Sequence, residues 1–163
     1  MLGSLGVVSA QADFPDDCFA YQHQHVLTSG DDVAQYNNDD QCVDALGGDD
    51  LVILNLGGGS NLVFGDGGED QLQGSISGDT LHGNDQNDTI YGYAGADTLT
   101  GNDGLDQLYD GPNPSGNGDD ITGGSGVDTL FHCTGTGSHS NADHIDTTGP
   151  DQVENVFNSS QWC

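Results

Sequence analysis

From Gly83 to Tyr109 the chain repeats itself every nine residues. The units are Gly83-Asn84-Asp85-Gln86-Asn87-Asp88-Thr89-Ile90-Tyr91, Gly92-Tyr93-Ala94-Gly95-Ala96-Asp97-Thr98-Leu99-Thr100 and Gly101-Asn102-Asp103-Gly104-Leu105-Asp106-Gln107-Leu108-Tyr109. Each opens on Gly, has Asp in sixth place and an aliphatic residue in eighth. A fixed period outweighs local propensity, because every repeat must adopt one conformation and bury its apolar residue against its neighbours. The Asp-x-aliphatic ending reaches far beyond these units. It runs through Asp31-x-Val33, Asp40-x-Cys42, Asp49-x-Leu51, Asn61-x-Val63, Asp70-x-Leu72 and Asp79-x-Leu81. It resumes after the three units at Asp119-x-Ile121, Asp128-x-Leu130, Asp143-x-Ile145 and Asp151-x-Val153.

These residues resemble the RTX (hemolysin-type) calcium-binding nonapeptide, Gly-Gly-x-Gly-x-Asp-x-aliphatic-x. The fullest match is Gly123-Gly124-Ser125-Gly126-Val127-Asp128-Thr129-Leu130-Phe131. The resemblance covers roughly Val26 to Glu154 and departs from the pattern where Gly moves to fifth place, as at Gly30, Gly48, Gly78 and Gly118, and at Asn61. It implies a right-handed parallel β-roll, an all-β solenoid whose Gly/Asp-rich turns bind several calcium ions.

Elementary chemistry leads the same way. Six residues rich in Gly and Asp make a tight turn. The next three make a short strand whose middle side chain points inward. Two nonapeptides then complete one coil of eighteen residues. Stacking places Asp49, Asp70, Asp88, Asp106 and Asp128 along one edge, and Asp40, Asn61, Asp79, Asp97 and Asp119 along the other. Carboxylates about 4.8 Å apart repel by about 3.5 kcal/mol at an effective dielectric near 20. Such ladders need cations. Calcium suits them, since it is hard and accepts carbonyl and carboxylate oxygens together. Asp85 and Asp103, third in their repeats, add oxygens, as do the carbonyls of Gly83, Asn84, Gly101 and Asn102.

Composition sharpens the expectation. There is no Lys or Arg among 163 residues, against 27 acidic ones. The acids are nearly all Asp, which favours turns over helices. Leu, Ile, Val and Phe barely reach the share at which so charged a chain can fold, so folding coupled to calcium is expected. A formal charge of −27 excludes nucleic acid and anionic membrane surfaces as partners. No apolar run is long enough to insert in a membrane.

The chain divides into an N-terminal segment and cap (1–25), the roll (26–154) and a C-terminal cap (155–163). Residues 1–12 read either as an export-signal remnant or as an apolar strand. Cys18 and Cys42 flank the first repeats and Cys133 and Cys163 the last, so one disulfide at each end is expected, in an oxidising extracellular compartment. His23-Gln24-His25 reads as solvated strand, with a transition-metal pair as the rival. Leu51-Val52-Ile53-Leu54 lengthens one strand, and Gly111-Pro112-Asn113-Pro114 makes a protruding insert. Val153, Val156, Phe157 and Trp162 supply apolar groups for the end.

Outward places seven and nine form columns. Gln73, Tyr91, Tyr109 and Phe131 make one, beside Gln71, Thr89, Gln107 and Thr129. Phe64, His82, Thr100 and Thr122 make another, beside Leu62, Thr80, Thr98 and Asp120. They read as cross-strand support, with a self-association or glycan surface as the alternative. Neither His-Glu-x-x-His nor Gly-x-Ser-x-Gly occurs, and His132, His139 and His144 beside Ser138 and Ser140 have no triad spacing, so no enzyme is expected. The reading is a secreted calcium-binding structural or adhesive protein. A self-assembling subunit of a calcium-dependent fibre or matrix is the alternative. Ice binding ranks lower, because the Thr rows are mixed.

Overall fold

Gly and Asp in the first six places supply little side chain for sheet packing, so the chain turns there and extends over the three residues that follow. The computed structural model describes residues 16–37, 40–55, 59–112, 118–133, 144–146 and 152–156. After a 3-10 turn at Asp16–Ala20 come β1 (His23–Val26), β2 (Val33–Tyr36), β3 (Gln41–Asp44), β4 (Leu51–Leu54), β5 (Leu62–Gly67), β6 (Gln71–Gln73) and β7 (Thr80–Asp85). They are followed by β8 (Thr89–Tyr91), β9 (Thr98–Gly104), β10 (Gln107–Tyr109), β11 (Asp120–Gly126), β12 (Thr129–Cys133), β13 (His144–Asp146) and β14 (Gln152–Val156). Odd-numbered strands form one parallel sheet and even-numbered strands a second, each in sequence order. Two strands and two turns close each coil, and about six coils stack into the all-β solenoid.

The eighth place faces inward throughout. Val43, Val63, Leu81, Leu99 and Ile121 stack from the first sheet, and Val52, Leu72, Ile90, Leu108 and Leu130 from the second. All ten are buried. At the N-terminal end the ring of His25 stacks on Tyr36 with centroids 4.1 Å apart. Leu27 and Tyr36 pack against the same core. His25 Nε2 also meets Gln41 Oε1 at 2.8 Å, so this histidine covers the end of the core, while His23 is exposed.

The Cys18–Cys42 disulfide is present, with a Cα separation of 5.5 Å. Cys18, Cys42 and Leu62 form a small second cluster with Tyr21 and Phe64. The leading segment is thereby pinned to the outer face of the first sheet, near one end. Cys133 is disulfide-bonded too; Cys163, its expected partner, lies outside the described residues, as do residues 1–12, Asn113, Pro114, Phe157 and Trp162.

The outward columns are in register as expected. Tyr91 and Tyr109 stack at 4.7 Å, Tyr109 and Phe131 at 4.2 Å, and Phe64 and His82 at 5.2 Å. The six-residue turns from odd to even strands, the first edge, are residues 45–50, 65–70, 83–88, 101–106 and 123–128, and β5, β7, β9 and β11 run on into the opening places of theirs. Turns from even to odd strands, the second edge, occupy 36–41, 54–61, 74–79, 92–97 and 110–119. The lengthened links 54–61 and 110–119 therefore fall on the second edge.

Candidate metal centre

The carbonyl of a turn's sixth residue stays in the ladder, as Asp70 O accepts from Thr89 N at 2.8 Å, but its amide hydrogen does not go to a main-chain oxygen. A carboxylate one coil further on accepts that hydrogen instead. On the first edge Asp32 N donates to Asp50 Oδ1 (2.7 Å) and Asp50 N to Asp70 Oδ1 (2.8 Å). Asp70 N donates to Asp88 Oδ1, Asp88 N to Asp106 Oδ1 and Asp106 N to Asp128 Oδ1, each at 2.8 Å. On the second edge Gln41 N donates to Asn61 Oδ1 and Asn61 N to Asp79 Oδ1, both at 3.0 Å. Asp79 N to Asp97 Oδ1 and Asp97 N to Asp119 Oδ1 follow at 2.8 Å. Where the acceptor is a carboxylate these bonds are charge-assisted; the Gln41–Asn61 rung is held by a neutral amide acceptor instead.

The second carboxylate oxygen is different. Oδ2 of Asp50, Asp70, Asp88, Asp97 and Asp106 is buried with no hydrogen-bond partner. A buried ion left in that state is costly. Its position also explains the first-place glycines. A Cβ at Gly65, Gly83, Gly92 or Gly101 would fall within 2.7 Å of Oδ2 of the Asp five residues on. That same Cβ would lie 2.5 to 2.9 Å from a main-chain carbonyl oxygen of the next coil, at Gly83, Gly101, Asp110 or Gly123. A carboxylate oxygen and a carbonyl oxygen thus converge over each of these glycines. Among the described residues no three Asp, Glu, His or Cys groups gather at one point, so a cation there must take most of its ligands from the backbone. Hard oxygen donors of both kinds fit calcium.

Burial raises Asp88 and Asp97 to about 8, and Asp70 and Asp106 to about 6. The amide from the preceding rung pulls each back, and neighbouring carboxylates push each further up. Asp44 is raised to about 6 by burial and by the carboxyl of Asp66. At the C-terminal side Asp110 accepts from Cys133 N at 2.9 Å and pairs with His132 at 2.5 Å.

The ladders hold Asp70, Asp79, Asp88, Asp97, Asp106, Asp119 and Asp128 as the spacing predicts. In the first coils the register is corrected by one residue. Asp50, not Asp49, occupies the first-edge ladder, and Gln41, not Asp40, occupies the second. Asp49 is exposed and belongs to an outer column, where its Oδ1 accepts from Glu69 N at 3.0 Å. Asp40 sits in the turn at a φ of 63°. Asp85 and Asp103 pair in register on the exposed side of the first edge. Asn84 and Asn102 form an amide column with Asp66, at 3.0 and 3.1 Å. The second place of these turns has positive φ throughout: Leu46 71°, Asp66 68°, Asn84 81°, Asn102 77° and Gly124 111°. Asn and Asp tolerate that conformation, which is why the family's second Gly is dispensable here. Asp32, Asp50 and Asp66 are the site residues that sequence reasoning missed.

Residues 73–108 match the family model of the RTX calcium-binding nonapeptide repeat (4 copies). No curated protein and no solved structure matches the chain. RTX nonapeptide repeats bind calcium, and the ladder of buried carboxylates fits that ion. The protein is a calcium-binding β-roll.

Proposed function

We propose that calcium bound along the turns orders this roll as an extracellular structural or adhesive element. The carboxylates assigned to it are Asp50, Asp70, Asp88, Asp106 and Asp128 on the first edge, with Asp97 and Asp119 on the second. First-place carbonyls such as those of Gly83 and Gly101 complete the sites, and Asp85 and Asp103 lend outer oxygens. The observation that carries the reading is the buried, partnerless Oδ2 beside a main-chain carbonyl oxygen, repeated coil after coil. With no Lys or Arg anywhere in the chain, neither of those side chains can neutralise it. Calcium supplies positive charge and six to eight oxygen positions. The disulfides support an oxidising, extracellular setting.

The test is a calcium titration by calorimetry, with far-UV circular dichroism, starting from chelated protein. Several ions bound with a rise in β signal are expected. An unchanged spectrum with no heat of binding would show the Asp ladders to be solvated turns, and the reading would fail.

A further inference from the structure

The coils do not all ask for a cation. Asp32 opens the first-edge ladder, and its Oδ2 accepts hydrogen bonds from Thr28 N at 2.8 Å and Thr28 Oγ1 at 2.7 Å. Gln41 opens the second-edge ladder as a neutral residue, buried and in contact with His25. The next rung is Asn61, also neutral. Its Nδ2 donates to Asp79 Oδ1 at 2.8 Å, while Ser75 N donates to Asp79 Oδ2 at 2.6 Å. Donors from the protein thus occupy both oxygens of Asp79, which leaves its carboxylate out of the group with a partnerless Oδ2.

These substitutes cluster at one end, where Asp50 Oδ2 and Asp44 Oδ1 are the buried carboxylate oxygens still without a partner. The coils there carry two bare oxygens rather than a continuous ladder of them. The same coils carry the Cys18–Cys42 disulfide, the His25–Tyr36 stack and the outer cluster around Leu62. From Asp88 and Asp97 onward no such amide or hydroxyl donor meets Oδ2 of Asp88, Asp97 or Asp106.

We propose that the N-terminal coils, from β1 to about β5, fold without calcium and form a seed onto which the later coils add as calcium binds. The argument rests on the reading that calcium orders the roll. Parallel strands need a neighbour to pair with, and in a solenoid a formed coil is the template for the next. A seed removes the nucleation cost from one end, so ordering proceeds from there toward the C-terminus. Asp79, with its oxygens occupied, holds no ion of its own.

Hydrogen–deuterium exchange on the full, oxidised chain distinguishes the possibilities, run in chelator and in calcium. Protection of residues 23–64 in both, with residues 83–131 protected only in calcium, is the expected result. A chain unprotected throughout in chelator and protected throughout in calcium would overturn the seed while leaving calcium-driven order intact. A chain protected throughout in chelator would overturn both. Asn61→Asp supplies a second arm, because it puts a bare carboxylate against Asp79. Protection of residues 62–82 in chelator should fall at least tenfold and return with calcium. No change in chelator would refute the role given to the neutral rungs.

Discussion

Replacing Asp88 by Asn should have opposite effects in chelator and in calcium. Asp88 is buried between Asp70 and Asp106, and its Oδ1 accepts Asp70 N, a bond that an Asn carbonyl retains. Burial raises its carboxyl from the ordinary 3.8 to about 8. At pH 7 a calcium-free fold must therefore keep it protonated against about 3 pH units. At about 1.4 kcal/mol per unit that costs about 4 kcal/mol. Relaxation and water reaching the turn reduce the figure to about 2 kcal/mol. Asn removes this cost, so the variant should show more β signal in chelator and a higher urea midpoint by circular dichroism. In calcium the outcome reverses. Losing one site held at a hundredfold excess over its Kd removes about 2.7 kcal/mol, and equilibrium dialysis should count fewer ions. If Asp88→Asn loses β signal in chelator as well, the carboxylate acts as a structural acceptor and the cation argument is wrong.

Two further outcomes follow from the same ladder. The folded pKa values of Asp88 and Asp97 lie above the unfolded value, so their contribution is fully present below about 4 and is lost as pH rises toward 8. Acidifying the chelated protein from pH 8 to pH 5 should raise its β signal, and calcium binding near pH 7 should release protons measurable in a weakly buffered titration. Gly101→Ala places a Cβ against Asp106 Oδ2 and 2.5 Å from Gly123 O. It should cost about 1 to 3 kcal/mol in calcium and weaken calcium binding at that turn, whereas alanine at exposed Leu105 should leave both unchanged.

The period made the architecture legible, because a nine-residue repeat with one inward aliphatic place admits few folds other than a two-sheet roll. The alternation in Thr89-Ile90-Tyr91 and Gln107-Leu108-Tyr109 fixed which residues face in, and the outward columns followed. Register failed where that alternation fails. Asp49-x-Leu51 and Asp50-x-Val52 fit the pattern equally well in the all-apolar stretch Leu51-Val52-Ile53-Leu54, and only the pairing of Val52 with Leu72 decides for Asp50. Asp31-x-Val33 misled in the same way: Val33 is exposed and Ala34 faces the core. At Cys42 the disulfide draws the side chain to the outer face, so Val43 takes the inward place. Counting back in steps of eighteen from Asp88 to Asp70, then across the lengthened turn, would have reached Asp50. The donors on Asp32 and Asp79 were hidden for another reason. Thr28 and Ser75 each lie four residues before their carboxylate, an ordinary local contact with no signature in the nine-residue repeat.

The lengthened links 54–61 and 110–119 lie on the second edge, while the first-edge turns 45–50, 65–70, 83–88, 101–106 and 123–128 keep six residues each. The roll therefore has a rigid spine and a permissive margin. A foreign peptide spliced between Gly111 and Gly118 would stand out at a fixed height along the solenoid without disturbing a single first-edge rung. Several such grafts, one per coil, would be spaced by the interval between neighbouring strands, about 4.8 Å. This makes the fold a natural frame on which to display loops at set distances, assembled or dismantled by adding or withdrawing an ion.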